Sequence, residues 1–350
     1  MRPLLVPFFI PHLGCPHRCV FCDQEKVAGA RGVLPTPEEL LARIEEYRQG
    51  APARELEVAF YGGTFTALPR RQQQDLLLPL QPLLARGALK SVRLSTRPDA
   101  VDAVDSRFLK EHGVATVELG VQSLDPEVLL LSGRGHGASE VEEAVAALKA
   151  AGIEVGIQLM PGLPGDTPER ALASLHRALA LKPSFLRIYP TLVIEETELA
   201  ARYREGVYQP LSLLEAVTLC KEMLSAAGQA GVPVIRFGLQ PTSELDSPGV
   251  VLAGPYHPAF GQLVASELCF DRMSALLQGV PAGSRVSFGA PPGRVSDLIG
   301  QRRVNLQRLA RRHGVEAAVR EDAELAPDLI SLEWGGASRY ARLFDASPRH

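Results

Sequence analysis

Two kinds of patterning alternate along the first two-thirds of the chain. Stretches whose apolar residues recur every three or four positions predict amphipathic helices: "TPEELLARIEEYRQ", "VDSRFLKEHG", "ASEVEEAVAALKAAG", "TPERALASLHRALALKP" and, later, "LSLLEAVTLCKEMLSAAGQAG". Between them stand short apolar runs that end in Gly, Pro, Ser or Thr: "ELEVAFYGG", "LKSVRLSTRP", "VATVELGVQS", "IEVGIQLMPG" and "SFLRIYPT". These read as buried strands. Thr36, Pro37 and Glu39 have the layout of a helix start with a capping box. Pro79 and Pro82 interrupt the helical run "RQQQDLLLPLQPLLARG".

This alternation predicts an α/β fold, a parallel sheet with helices packed outside it. The opening "MRPLLVPFFIPHLG" reads as a first buried strand. Three prolines interrupt it and it has no small-residue cleavage site, which argues against a secretory signal. No Gly-x-Gly-x-x-Gly follows that strand, and no glycine loop carries a phosphate-binding lysine, so a complete or partial (β/α) barrel fits better than a dinucleotide sheet. In such folds ligand loops sit at the carboxyl ends of the strands, which is where the unusual residues of this chain fall.

After Pro190 the rhythm changes to a long connection, the helix at "LSLLEAVTLCKEML", the strand "VPVIRFGLQP" and a helix near "FGQLVASELCFDRMSALLQG". The Pro/Gly-rich "GVPAGS" marks a boundary, giving a barrel with its extension over residues 1–280 and a small α+β module over 281–350. In the module the sequence predicts the strand "RVSFGAPPGR", a helix from about Val295 to His313, and the strands "VEAAVRED" and "LISLEW".

Composition narrows the classes. At 46% hydrophobic and 22% charged residues, the 350-residue chain can bury a large core, which excludes a disordered protein. The 37 basic and 40 acidic side chains leave a net charge of -3, so no global field announces nucleic acid. No run approaches the roughly 18 apolar residues of a membrane span. Five cysteines, an odd number with no framework spacing, point to a reducing, cytoplasmic setting. Cys220 and Cys269 sit in helical patterns as small core residues.

The other three are the strongest chemical signal. "GCPHRCVFC" places Cys15, Cys19 and Cys22 within eight residues. One disulfide cannot satisfy all three. Structural zinc wants four closed ligands, which His12 or His17 could complete, but no second cysteine pair follows. A four-iron cluster on three cysteines leaves one iron open to an external ligand.

This spacing, with an aromatic residue before the last cysteine, resembles the radical S-adenosylmethionine enzymes. The resemblance implies that Cys15, Cys19 and Cys22 ligate a [4Fe–4S] cluster whose open iron chelates S-adenosylmethionine. An external one-electron donor then drives its cleavage to methionine and a 5'-deoxyadenosyl radical. Gly14 and Pro16 shape the loop, and Phe21 packs beside the cluster or serves the core. Gly62-Gly63-Thr64, ending "EVAFYGGTF", resembles the glycine motif that receives the methionine amino group, where a side chain would obstruct. Glu118 and Gln122 in "VELGVQS" fall on one face of a strand. A carboxylate there needs either a cofactor group or an arginine or lysine partner. Gln158 and Met160 in "GIQLMPGLPGDT" resemble the adenine-side loop.

Five stretches in order, "FYGGTFTALP", "VELGVQS", "SGRGHG", "LMPGLPGDT" and "RIYPTLVIEETEL", are similar to the radical domain of the elongator catalytic subunit family, which modifies the wobble uridine of transfer RNA. The similarity covers roughly residues 5 to 245. It implies that Arg134, His136 and Tyr189 lie at or near the substrate side, and strand alternation points Arg187 the same way as Tyr189. The chain departs from that family in its tightly spaced cysteines and in Glu195-Glu196. The roughly 100 residues after "IRFGLQP" are too few and too unlike an acetyltransferase domain to stand in for one, so acetyl-CoA is not carried over. Coproporphyrinogen oxidases share the cysteine spacing, which keeps open a radical oxidase or transferase acting on a small molecule. A non-catalytic iron–sulfur RNA-binding regulator is the third reading.

The tail motivates that last reading. "IGQRRVNLQRLARRHGVEAAV" looks like the helix–loop–helix and strand of a KH domain, with Gly300 as the first glycine of a Gly-x-x-Gly loop and no second. Arg302, Arg303, Arg308, Arg311 and Arg312 are candidates for RNA phosphates, against the alternative of a solvated basic face. His257 in "AGPYHPAF" either aims at substrate or stiffens a packed turn.

Overall fold

The computed structural model describes residues 3–10, 15, 19–22, 33–243 and 245–344. Gly14, Pro16, His12 and His17 lie outside the described residues. Packing divides the chain into two compact units. One comprises Met1–Pro210 with Leu239–Gly254, the other Leu211–Gly238 with Pro255–His350.

The first unit alternates strand and helix as its patterning predicts. In order come β1 (Leu4–Ile10), α1 (Pro37–Gly50), β2 (Leu56–Gly62), α2 (Arg70–Leu77), α3 (Gln81–Ala85), β3 (Ser91–Thr96), α4 (Ala103–Glu111) and β4 (Val114–Gln122). Then follow α5 (Pro126–Leu131), α6 (Ala138–Ala150), β5 (Glu154–Leu159), α7 (Pro168–Ala180), β6 (Phe185–Ile188), β7 (Val193–Ile194) and α8 (Glu198–Arg204). Strands β1 to β6 lie side by side in sequence order, all parallel, as a partial barrel with helical crossovers. The Thr36 capping box forms, Thr36 Oγ1 accepting from Glu39 N at 3.2 Å and Glu39 Oε2 from Thr36 N at 2.8 Å. Pro79 falls in a 3₁₀ turn over Leu78–Leu80, which separates α2 from α3. The core is built from residues such as Val58, Phe60, Leu94, Val117 and Ile157, all essentially inaccessible. Phe60 packs on Phe65 with ring centroids 5.4 Å apart. Burying each such ring contributes about 1.5–3 kcal/mol.

The parallel register sets the site. Ile10 pairs with Gly62, and Gly63 N donates to Ile10 O at 3.1 Å, so the cysteine segment and the glycine turn leave adjacent strands at the same level. Ser95 faces Glu118, Gly120 faces Gln158, and Gln158 faces Arg187 across β3 to β6. The segment Leu239–Gly254 also belongs to this unit, and its β9 (Val251–Ala253) pairs antiparallel with β7.

The second unit departs from the expected boundary near residue 280. It contains α9 (Leu213–Gln229), β8 (Val234–Phe237), α10 (Phe260–Leu276), β10 (Arg285–Ala290), α11 (Val295–Ile299), α12 (Val304–His313), β11 (Glu316–Glu321), β12 (Leu329–Trp334) and β13 (Ala337–Arg342). The reason is apolar. Phe270, Met273 and Leu276 of α10 share one buried cluster with Phe288, Leu298, Leu309 and Ile330 of the module. "GVPAGS" is therefore a turn inside this unit. Its sheet has the order β11-β10-β12-β13, with β10 and β11 parallel and the rest antiparallel. Cys220 and Cys269 are buried, as their patterning predicts.

The stretch from Val295 to His313, one helix by periodicity and a helix–loop–helix by resemblance, is two helices parted by the turn Gly300–Arg303. Gly300 has φ 72, and a Cβ there would lie 2.8 Å from Val304 and 2.9 Å from Ser266 Oγ. Only glycine fits.

Candidate active site

The site is assembled from residues far apart in sequence at the carboxyl ends of β1 to β6. Cys22 N donates to Cys19 O at 3.1 Å, so a tight turn brings these two cysteines together. Val20 between them is buried and anchored on both sides: its N–H reaches Ser132 O at 3.2 Å, and its carbonyl accepts from Leu199 N at 2.8 Å. Phe21 packs against the small cluster of Val20, Val193, Leu199 and Tyr208, the core role of its two alternatives. Cys15 Sγ lies 3.4 Å from Thr64 Oγ1, in hydrogen-bond contact with the glycine turn. Gly62 adopts φ 97, a conformation that favours glycine and keeps backbone open at the strand end.

Two arginines face Cys19. Arg134 Nη1 donates to Cys19 Sγ at 3.3 Å, and Arg97 Nη1 stands 3.8 Å away. Both are buried and held by backbone, Arg97 through the Arg134 carbonyl and Arg134 through the Gly120 carbonyl. Asp99 accepts a fork from Arg97 at 2.8 and 2.9 Å, and despite its burial this guanidinium holds its carboxyl below the usual range. His136 Nε2 accepts from Arg134 Nε at 3.2 Å; burial, and then the Arg134 charge, push its pKa down to about 4. His136 is therefore neutral at pH 7 and points its acceptor at Arg134.

Glu118 is buried, and its needs are met by protein. Arg93 Nη1 and Arg187 Nη2 each donate to Oε1 at 3.1 Å, Tyr61 OH donates to it at 3.2 Å, and Arg187 Nε is 2.5 Å from Oε2. Arg93 also reaches Glu57, which accepts from Ser91 Oγ at 2.9 Å. Although burial opposes it, the Glu118 carboxylate keeps Arg187 charged, and burial followed by the same carboxylate raises Tyr61 well above a free phenol. Of the two partners open to Glu118, the structure supplies the arginine. Arg187 Nη1 donates to Tyr189 OH at 3.1 Å, so these two share one surface, as strand alternation predicts.

Gln122 has φ 71 at a register shift in β4, and its amide oxygen accepts from Gln158 Nε2 at 3.3 Å. The Gln122 carbonyl accepts from Met160 N at 2.8 Å, which pins the start of the "MPGLPGD" loop. Farther along that loop, Gly162 is fixed by Asp166 and by Tyr208 OH at 2.6 Å. His257 belongs to the second unit, where its Nδ1 accepts from Ala259 N at 3.1 Å, a contact that fits the packed-turn alternative.

The donor set suits an iron–sulfur cluster. Three thiols leave one strand end, and the two guanidiniums facing Cys19 offset the negative charge that thiolate ligands bring. Among the described residues no three metal-ligating side chains already converge. Arg97, Arg93 and Tyr61 were not picked out from sequence. Arg97 ends the strand "LSTRP", and the rule that strand ends carry function marks its position.

Comparison with known proteins agrees with this layout. Residues 9–178 match the radical SAM superfamily and residues 183–269 match the Radical_SAM C-terminal domain. A tRNA uridine(34) acetyltransferase from Dehalococcoides mccartyi is 30% identical over 57% of this chain and 50% of its own length. Elongator complex protein 3 from Saccharomyces cerevisiae is 30% identical over 54% of this chain and 38% of its own. The chain thus spans half or less of these curated relatives. The solved structure of the archaeal Methanocaldococcus infernus Elp3 with an N-terminal deletion aligns at 25% identity with a TM-score of 0.58, covering 75% of this chain and 62% of that one. With two consecutive regions matched, the chain belongs to the radical SAM superfamily, a superfamily of enzymes that typically use a [4Fe–4S] cluster and S-adenosylmethionine.

Proposed function

We propose that Cys15, Cys19 and Cys22 hold a [4Fe–4S] cluster with which this enzyme cleaves S-adenosylmethionine, and that its substrate is a nucleoside of transfer RNA. The observation that carries the first part is the meeting of the cysteine segment, the Gly62-Gly63-Thr64 turn and two buried guanidiniums at one end of the sheet. Bound there, cluster and cofactor would supply a one-electron reductive cleavage to methionine and a 5'-deoxyadenosyl radical, which takes a hydrogen atom from substrate.

The chain's own residues prepare that chemistry. Arg134 and Arg97 offset thiolate charge at Cys19, and neutral His136 keeps Arg134 aimed. Gly62 and Gly63 leave backbone accessible for the cofactor's amino group, with Thr64 beside Cys15. The paired amides of Gln122 and Gln158, with Met160 next to them, form the cofactor's polar and apolar rim. Glu118 acts as an organiser, holding Arg93 and Arg187 so that Arg187 and Tyr189 present donors to substrate. An RNA substrate is supported by the likeness to a tRNA uridine(34) acetyltransferase.

The test is an anaerobic assay with dithionite, labelled S-adenosylmethionine and total transfer RNA, read as 5'-deoxyadenosine and then as nucleoside masses. About four irons per chain and 5'-deoxyadenosine are expected, both lost in Cys19→Ala. Stoichiometric zinc without iron, or undiminished cleavage by Cys19→Ala, overturns the cofactor assignment. Cleavage with unchanged nucleoside masses overturns the RNA substrate alone.

A further inference from the structure

The turn between α11 and α12 is built unlike an ordinary helix connection. Gly300, Arg302 and Arg303 have φ 72, 51 and 62, so two consecutive arginines occupy the left-handed region. L-residues with a Cβ pay for that conformation and glycine does not. The turn is held from inside. Buried Asn305 donates to Ser266 O and Ser266 Oγ at 2.9 Å and to Leu298 O at 3.2 Å, and Gln301 donates to Gln262 at 3.1 Å. Arg303 stands at the position of the second glycine of a Gly-x-x-Gly spacing and is left-handed at φ 62, a conformation that favours glycine, while adding a cation.

The surrounding charges sort into two groups. Arg308 forms a bidentate pair with Glu267 at 2.5 and 2.9 Å and stacks on Phe270, which withdraws it from the RNA-binding candidates. Arg294 pairs with Asp297 at 3.1 Å. Arg302, Arg303, Arg311 and Arg312 are exposed and make no ion pair among the described residues. Beside the turn lies a groove of about 500 Å³ lined by Gln262, Gly293, Val295, Ser296, Ile299 and Gly300. That volume falls in the range of about 300–1,000 Å³ usual for ligand sites.

We propose that this turn and groove bind a segment of single-stranded RNA, Arg302 and Arg303 on consecutive phosphates and a base against Val295 and Ile299. An open groove with Val295 and Ile299 in its lining, beside a fixed cationic turn, suits the alternation of base and phosphate along one strand. Arginine's planar fork suits phosphate oxygens. The proposal extends the reading of an RNA substrate from the reacting nucleoside to the strand that carries it, and its test needs neither cluster nor cofactor.

The full-length protein as isolated is titrated against a short fluorescein-labelled single-stranded RNA across a salt series, with polyglutamate as competitor. Arg302→Gly and Arg303→Gly each lower the slope of log affinity against log salt by about 0.7. Their thermal midpoints hold or rise, because glycine takes these φ values freely. Val295→Ser weakens binding without changing the slope, and Arg311→Ala changes affinity less than Arg303→Gly. Unchanged RNA affinity in the two glycine variants overturns the proposal. So does competition by polyglutamate equal to that by unlabelled RNA, which would make the turn a site for an acidic protein.

Discussion

Two sets of arginines show how differently the same side chain is used in the two units. Arg93 and Arg187 lie inside the parallel sheet, 15% and 16% exposed, and close a network with Glu57, Glu118, Tyr61 and Tyr189. Arg302 and Arg303 lie on a surface turn with no acidic partner among the described residues. The first pair is tied to internal carboxylates, because a buried charge without a counter-charge is very costly. The second pair is held in an unfavourable backbone conformation and is exposed. Charge that costs stability and finds no internal partner points outward, to a ligand.

The largest expected effect comes from breaking the buried set. Glu118→Ala leaves two guanidiniums buried without their shared carboxylate, and should cost about 3–5 kcal/mol of unfolding free energy in a urea titration. Glu118→Gln keeps an acceptor for one donor and should cost less. A loss under about 1 kcal/mol for Glu118→Ala would mean the arginines relax into water. In that case Glu118 would again be available to a cofactor.

A second effect separates two buried titratable groups of the first unit. His136 has a pKa near 4, from burial and then Arg134, against 6.5 when free. Between those values the unfolded chain holds a proton that the folded chain refuses. Its contribution is thus complete above pH 6.5 and lost as pH falls toward 4. Asp166 is pushed up to about 6, chiefly by burial, against 3.8 when free. The folded chain holds that proton between 3.8 and 6, so its contribution is complete below 3.8 and lost as pH rises through 6. The slopes oppose each other, each at most about 1.4 kcal/mol per pH unit. Stability of the parent protein should vary little between pH 4 and 6 from these two groups. In His136→Gln it should fall with rising pH across that window, and in Asp166→Asn it should rise, read as thermal midpoints by circular dichroism. The same direction of change in both variants would break the assignment.

How much of this was legible in the sequence follows the range of the interactions. The alternating strands and helices, the capping box at Thr36 and the cysteine segment are local patterns, and the barrel follows from them. The arginines facing Cys19 are not local. Arg97 is 78 residues from Cys19 and Arg134 is 115 residues away, and no periodicity links them. The division into compact units is not local either: "GVPAGS" has the composition of a linker, yet it falls inside the second unit. What decides the matter is the apolar face of α10, which matches Phe288 and Leu298 farther along the chain. The break at Gly300 is legible only through the helix–loop–helix likeness, because Arg302 and Arg303 are good helix formers and helical periodicity runs on through them, although both are left-handed in the structure.

The smallest expected effect is the most discriminating for the surface turn. A residue with a Cβ in the left-handed region costs roughly 1–2 kcal/mol relative to its ordinary conformation, and glycine avoids most of that. Against this, glycine gives the unfolded chain more freedom, worth roughly 0.5–1 kcal/mol. Arg303→Gly should therefore be neutral or stabilising by up to about 1 kcal/mol in a urea titration. Arg303→Ala, which keeps a Cβ, should show no such gain. Lys221→Ala, on α9 of the same unit, removes a part-buried ion pair to Asp271 at 2.6 Å and should lose stability, by about 1 kcal/mol. If Arg303→Gly loses stability as that variant does, the arginine is holding the fold together and the contrast with Arg93 and Arg187 collapses. If it gains, the turn keeps an arginine at the expense of its own stability, as expected of a residue retained for what it binds.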